Sequence, residues 1–177
     1  MLKAMNRHTN KKEVYELLSK IKKEIPESII RTTFMLGFQG ETEEDFKELM
    51  ECVKTFSFDR LGAFTYSKEE DTKGSEMAGD VPEIIKKARY NKLMKLQKQL
   101  LKTRMQARIG QIVEVIVEDV TYDEQYFECR SYMDAPDVDP KMYIKLNDET
   151  KDIIIGEYYK VKIESISGYD YICSLDI

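Results

Sequence analysis

The 177 residues combine 42% apolar with 34% charged side chains and only 8 Gly and 4 Pro, which allows a buried core and excludes collagen-like, low-complexity and disordered classes. That length suits two small domains. A net charge of -5 conceals an asymmetry: residues 1–104 carry 21 Lys+Arg against 17 Asp+Glu, whereas residues 105–177 carry 7 against 16.

Asn10 reads as an N-cap with Glu13 three residues on, opening a helix whose Val14, Leu17, Leu18, Ile21 and Ile25 share one face until Pro26 stops it. Ile29 to Phe38 is β-branched and almost continuously apolar, which predicts a strand covered on both sides in a parallel sheet. Gly37 and Gly40 bracket the next turn. Thr42 and Asp45 form a capping box for a helix from Glu43 to about Phe56, with Phe46, Leu49, Met50 and Val53 facing inward. A strand from Leu61 to Tyr66 completes a βαβ unit with parallel strands. The polar stretch Ser67 to Val81 then reads as a long loop at a carboxyl strand end, where α/β folds place function.

Pro82 suits the first position of a helix running to about Met105, with 8 basic residues against one acid, Glu83. Its apolar stripe is read as Ile84, Ile85, Ala88, Leu93, Leu96, Leu100 and Leu101. Its basic face suits either a solvated surface or contact with RNA or an acidic partner. After Gly110 the apolar period changes from 3.6 to 2. Five short segments, beginning near Gln111, Tyr126, Lys141, Tyr158 and Tyr169, predict five antiparallel strands closed into a small OB-like barrel. The fold class is α/β plus β, with a break near residue 104 separating residues 1–104 from 105–177.

Cys52, Cys129 and Cys173 are too far apart for a C-x-x-C pair, and a single histidine, His8, cannot build a two-histidine site. No nucleophile elbow, P-loop or dinucleotide fingerprint is present. No catalytic and no metal-ligating residue is therefore assigned. No apolar run approaches the roughly 18 to 20 residues of a membrane span, nor is there a signal-peptide stretch near Met1, so a cytoplasmic address without a membrane partner is expected. In MLGFQGETEEDF, residues 35–46, Gly37 and Gly40 would let a flat ligand approach the backbone, and the N–H groups of Glu41 and Thr42 suit a carboxylate or hydroxyl. The same residues also suit an ordinary strand-to-helix connection.

Five ordered blocks carry a resemblance: MLKAMNRHT at 1–9, IIRTTFMLGFQGETEEDF at 29–46, FDRLGAFTYSKEEDT at 58–72, RYNKLMKLQKQL at 89–100 and RSYMDAPDVD at 130–139. Together they are similar to the radical S-adenosylmethionine methylthiotransferases, and the last block to the branch that modifies an aspartate of a small-subunit ribosomal protein. The resemblance implies the C-terminal fragment of a partial TIM-type barrel (βαβα) followed by a TRAM-type β-barrel that recruits substrate. It implies methylthio transfer to the β-carbon of that aspartate, using S-adenosylmethionine and two 4Fe-4S clusters. The cluster cysteines are absent from this chain, so the chain alone is expected to be inactive.

By the same resemblance, cofactor-binding roles fall on Arg7, Gly37, Gly40, Glu41, Tyr66 and Ser67, and substrate-binding roles on Arg130, Asp134, Asp137 and Asp139. The chain departs from the family at Gln39, where Pro is usual, and at Asp71, Cys129 and Pro140, where Gly is usual. An acidic barrel repels a phosphate backbone and attracts a Lys- and Arg-rich protein, so a basic ribosomal protein is favoured over tRNA as partner. The aspartates also suit turn formation around Pro136. A tRNA methylthiotransferase and a non-catalytic RNA- or protein-binding module remain the alternatives. With only two barrel strands in residues 1–81, the Ile29–Phe38 strand is expected to expose apolar surface or to support self-association.

Overall fold

Local capping sets the first helix. In the computed structural model, which describes residues 1–176, Asn10 accepts from the Glu13 N–H while the Glu13 carboxylate accepts from the Asn10 N–H, and α1 runs Lys11–Glu24. No residue of α1 is buried. Leu17 and Ile25 stand 58% and 59% exposed, so the inward face expected of this helix is only half covered. The second capping box forms as expected: Thr42 and Asp45 exchange hydrogen bonds, and α2 (Glu43–Phe56) buries Phe46, Met50, Val53 and Phe56. The Thr42 hydroxyl also donates to the Asp45 carboxylate, and this holds its pKa below the usual value.

β1 (Arg31–Leu36) and β2 (Arg60–Thr65) pair in parallel, with Met35 opposite Phe64. Their sheet has two strands among the described residues. β1 is shorter than Ile29–Phe38 and is not covered on both sides. Phe34, Leu36, Leu61 and Ala63 pack with Phe46, Val53, Phe58 and Leu93 in the core, whereas the opposite face carries Thr33, Met35 and a 48%-exposed Phe64. The loop from Ser67 contains one short turn of helix, α3 (Lys73–Glu76), and α4 follows over Glu83–Gln106.

The apolar stripe read for α4 is wrong at its start. Ile84 and Ile85 are 76% and 40% exposed, and the buried positions are Lys86, Arg89, Leu93, Gln97 and Met105. The chain divides into two compact units, Met1–Lys102 and Thr103–Ile177.

The second unit is a closed barrel of β3 (Ile112–Val120), β4 (Tyr126–Ser131), β5 (Met142–Lys145), β6 (Tyr158–Ser167) and β7 (Asp170–Leu175), in the order β3-β4-β5-β7-β6. Inward residues alternate along each strand and include Val115, Val117, Phe127, Cys129, Ile144, Val161, Ile163 and Cys173. Not every seam is antiparallel: β5 and β7 pair in parallel. Directions cannot alternate all the way around a ring of five strands, so one parallel seam is obligatory. Bulges at Glu118 and Glu164 interrupt the register on β3 and β6, and such bulges add the local twist that closure needs.

Burial pushes the thiols of Cys129 and Cys173 up to about 12. Above pH 9 the unfolded chain loses both protons while the folded barrel keeps them. Stability should therefore fall between about pH 9 and 12, by up to about 1.4 kcal/mol per pH unit for each thiol. Urea unfolding at a series of pH values will show this slope in the native chain, and C129A/C173A should lose most of it.

Candidate functional site

The groove begins where the two parallel strands end. Tyr66 extends the ladder past β2 by donating its N–H to Leu36 O at 2.8 Å, and β1 turns at Gly37 and Gly40, whose φ angles are 74° and 78°. This turn is closed on itself. Gly37 N–H donates to the Glu41 carboxylate at 2.8 Å, and Glu41 N–H donates to Phe38 O at 2.9 Å.

Two cations reach the turn from α4. Arg89 meets the Glu41 carboxylate at 2.6 Å, with both side chains over nine-tenths buried, and adds a longer contact to Glu43. Lys86 lays its stem over Gly37 so closely that a Cβ there would sit 2.3 Å from Lys86 Cγ. Its ammonium donates to Tyr66 O at 3.0 Å and to Glu83 at 2.8 Å. Gly37 is thus required twice over, by its left-handed φ and by the space that Lys86 fills. The Glu41 and Thr42 N–H groups, expected to be available to a ligand, are taken by Phe38 O and the Asp45 carboxylate.

The loop after β2 folds onto the turn. Gly40 N–H donates to Gly79 O at 2.7 Å, and the Tyr66 ring packs edge-on against Phe38 at 4.9 Å between centroids. A Cβ on Gly74 would come within 2.8 Å of Tyr66 Oη. Tyr66 is 8% exposed, yet its hydroxyl has no hydrogen-bond partner among the described residues. Asp71, at a position where the resembling family has Gly, adopts a left-handed φ of 59°, a conformation Asp tolerates better than most residues.

Against this frame lies a groove of about 1340 Å³ lined by the segment 1–11, β1, the end of β2, one side of α2 and the loop to Gly74. Arg7, Glu41, Tyr66 and Ser67 line it together. Gly37 and Gly40 do not; they shape its support from behind. The wall also holds Tyr15 and Cys52. Burial, followed by the neighbouring Cys52, pushes the Tyr15 hydroxyl up to about 12, and burial raises the Cys52 thiol, so neither is poised to ionise near neutrality.

Sequence reasoning missed Lys86 and Arg89 by placing the basic residues of α4 on solvent. The signal was available: stepping back seven residues from Leu93 and Leu96 on the buried face gives Lys86 and Arg89.

On the barrel, the four residues expected to bind substrate sit on β4 and the turn after it. Arg130 Nε donates to Glu118 at 2.6 Å across the β3 bulge. Asp134 accepts from the Ser131 hydroxyl at 2.7 Å, and Asp139 from Ala135 N–H at 2.8 Å. Asp137 is exposed, with a φ of 59°. Two of the three aspartates therefore hold the turn, leaving Asp137 as the one whose carboxylate faces outward.

Among the described residues no helix is long and apolar enough to cross a membrane, and no cluster of three or more His, Cys, Asp or Glu is placed to hold a metal ion. Residues 109–175 match the TRAM domain family, so the closed barrel is a TRAM barrel. Along almost its entire length the chain is similar to proteins named "Ribosomal protein uS12 methylthiotransferase RimO". Identity is 39% with that of Alkaliphilus oremlandii over 96% of this chain, and 42% with that of Phocaeicola vulgatus over 99%. The Petrotoga mobilis protein is 42% identical over 96%. The chain spans about two fifths of these relatives, from 38% to 40% of their length. It corresponds to the C-terminal part of RimO-type methylthiotransferases. The apo form of Mycoplasma genitalium RNase R matches at a TM-score of 0.32 and 14% identity over 62% of this chain and 20% of that one.

Glu41→Gln or Arg89→Met should each destabilise the first unit by about 3–5 kcal/mol, because each leaves a buried charge without its partner. Removing both should cost less than the sum of the two. Gly37→Ala should also destabilise, since it collides with Lys86 and strains the backbone. Urea unfolding of the four variants beside the native chain measures all of these effects.

Proposed function

We propose that this chain forms the cofactor-cradling and substrate-recruiting part of a radical S-adenosylmethionine methylthiotransferase acting on an aspartate β-carbon of the basic ribosomal protein uS12. The observation that carries the reading is a coincidence. The motif residues Arg7, Glu41, Tyr66 and Ser67, 60 residues apart in sequence, converge on one groove, in a chain similar nearly end to end to enzymes of that name. In this reading residues 1–104 are the closing part of a TIM-type barrel and residues 105–177 the recruiting barrel, in a cytoplasmic enzyme.

The groove fits S-adenosylmethionine. It presents a buried tyrosine hydroxyl without a partner, a serine beside it and an exposed arginine whose charge suits a carboxylate. When bound, that cofactor supplies both the radical chemistry and the methyl group. The chain's own work is to bind and orient it: Arg7 by charge, Tyr66 by donating a hydrogen bond, and Lys86 and Arg89 by fixing the turn from behind. Glu41 acts through Arg89 and Gly37 as a positioning residue.

The cysteines do not fit an iron–sulfur cluster. Cys129 and Cys173 are buried inside the barrel with raised pKa values, Cys52 lies on α2, and cluster ligands must be thiolates held close together. No step is assigned to them. The cluster thiolates are supplied by other residues, and this chain alone is inactive.

The excess of 16 acids over 7 bases in residues 105–177 favours a basic protein over tRNA at the barrel. The open sheet face at Met35 and Phe64 is a wall of the same groove, so self-association through it in the absence of further strands competes with cofactor binding.

Calorimetric titration with uS12 tests the substrate side. Asp137→Asn, which keeps the left-handed turn, should weaken binding several-fold, and tRNA that displaces uS12 from the barrel would reverse the choice. On the cofactor side, Tyr66→Phe should weaken S-adenosylmethionine about three- to tenfold, the worth of one hydrogen bond. Unchanged affinity would remove Tyr66 from the site.

A further inference from the structure

The lysines of α4 that face away from the core have no role in either site. Between Glu83 and Glu114 the chain has 30 residues with nine Lys or Arg and no Asp or Glu. Two of the nine, Lys86 and Arg89, are buried and matched by Glu83, Glu41 and Glu43. Lys87, Lys95, Lys98 and Lys102, with Asn91 between the first two, recur at intervals of three or four and so stand in one row. All are exposed, and the row lies opposite the buried Lys86, Leu93 and Gln97. It extends about 22 Å at the rise of an α-helix.

None of these four lysines has an ion pair or side-chain hydrogen bond among the described residues. On α1 and α2 most lysines are paired: Lys11, Lys12, Lys47 and Lys54 each have a carboxylate within 2.6 to 3.7 Å, whereas Lys20 and Lys23 have none among the described residues. Like charges three and four residues apart repel along a helix, so the row opposes folding rather than assisting it.

Its form identifies the partner. Its apolar members are one small side chain, the exposed Ala88, and Ile84 at its start, 76% exposed, with no aromatic side chain, which is little to anchor a protein surface. It has no arginine fork for a carboxylate. What remains is a line of flexible point charges, complementary to a line of phosphates. We propose that this face of α4 docks RNA through its phosphate backbone, without reading bases. The proposal stands on α4 alone and does not rest on the methylthiotransferase reading.

Fluorescence anisotropy of a labelled 20-bp RNA duplex titrated with the full chain between 50 and 200 mM KCl tests it. The native chain should bind with a log–log salt slope of about -3 to -4, near 0.9 for each phosphate neutralised. K87Q/K95Q/K98Q/K102Q should bind at least tenfold more weakly and lose about three to four units of slope, while K12Q/K54Q should match the native chain. If the quadruple variant fails to fold by circular dichroism, the pairs K87Q/K95Q and K98Q/K102Q should each remove about two units. No binding at 50 mM KCl, or slopes unchanged in the row variants, overturns the proposal. So does binding of labelled polyglutamate through the row by a chain that ignores RNA.

Discussion

Two cations buried within one turn of α4 hold the carboxyl ends of both strands of the parallel sheet. Lys86 ties the Tyr66 carbonyl and lies over Gly37, while Arg89 neutralises Glu41, whose carboxylate in turn holds the Gly37 N–H. A two-stranded sheet has little capacity to fix its own strand ends. The groove's shape therefore depends on electrostatics more than on apolar packing. Such pairs are expensive to bury and more expensive to break, so the turn is held in one arrangement. An apolar α4 of equal volume would seat the helix but leave the Tyr66 carbonyl and the Glu41 carboxylate unsatisfied.

The charge of the molecule is divided rather than neutral. The first unit concentrates uncompensated lysine on α4, and the barrel concentrates carboxylates, so the field of each unit favours groups of opposite sign. Within the barrel, however, carboxylates do more than set potential. Glu118 and Glu164 occupy the two bulges and bind Arg130 and Ser174, and Asp134 and Asp139 shape the turn after β4. A count of acids thus overstates the number available to a partner, and Asp137 is the informative one.

Features decided by neighbours in sequence were legible in it. Both capping boxes, the stop at Pro26 and the five barrel segments follow from spacing alone. Features decided by distant residues were not. Gly37 and Gly40 signalled a turn, but that Lys86 fills the space over Gly37 depends on a residue 49 positions away. The basic residues of α4 were read as a class, although the seven-residue step separates the two that are buried from the row that is not. The parallel β5–β7 seam follows from counting to five, a constraint on the closed ring that no single strand displays. For the candidate site, the motif placed four residues on the groove, and their partners had to come from the structure.

Tyr66 joins these threads. Its carbonyl is held by Lys86, its ring by Phe38, and its hydroxyl is confined by Gly74, each from a different segment. Three constraints fix the orientation of a group whose own donor and acceptor are unmet. Leaving a buried hydroxyl unpaired costs roughly 1–3 kcal/mol, and nothing in the fold recovers that cost. A Phe would pack equally well against Phe38 and relieve it. In the proposed reading the hydroxyl is a donor for an acceptor in the groove, and because the oxygen itself is covered, the segment around Gly74 has to yield before the two meet. Glycine at position 74 follows from the same requirement, because any side chain there would meet the oxygen at 2.8 Å and turn the ring away.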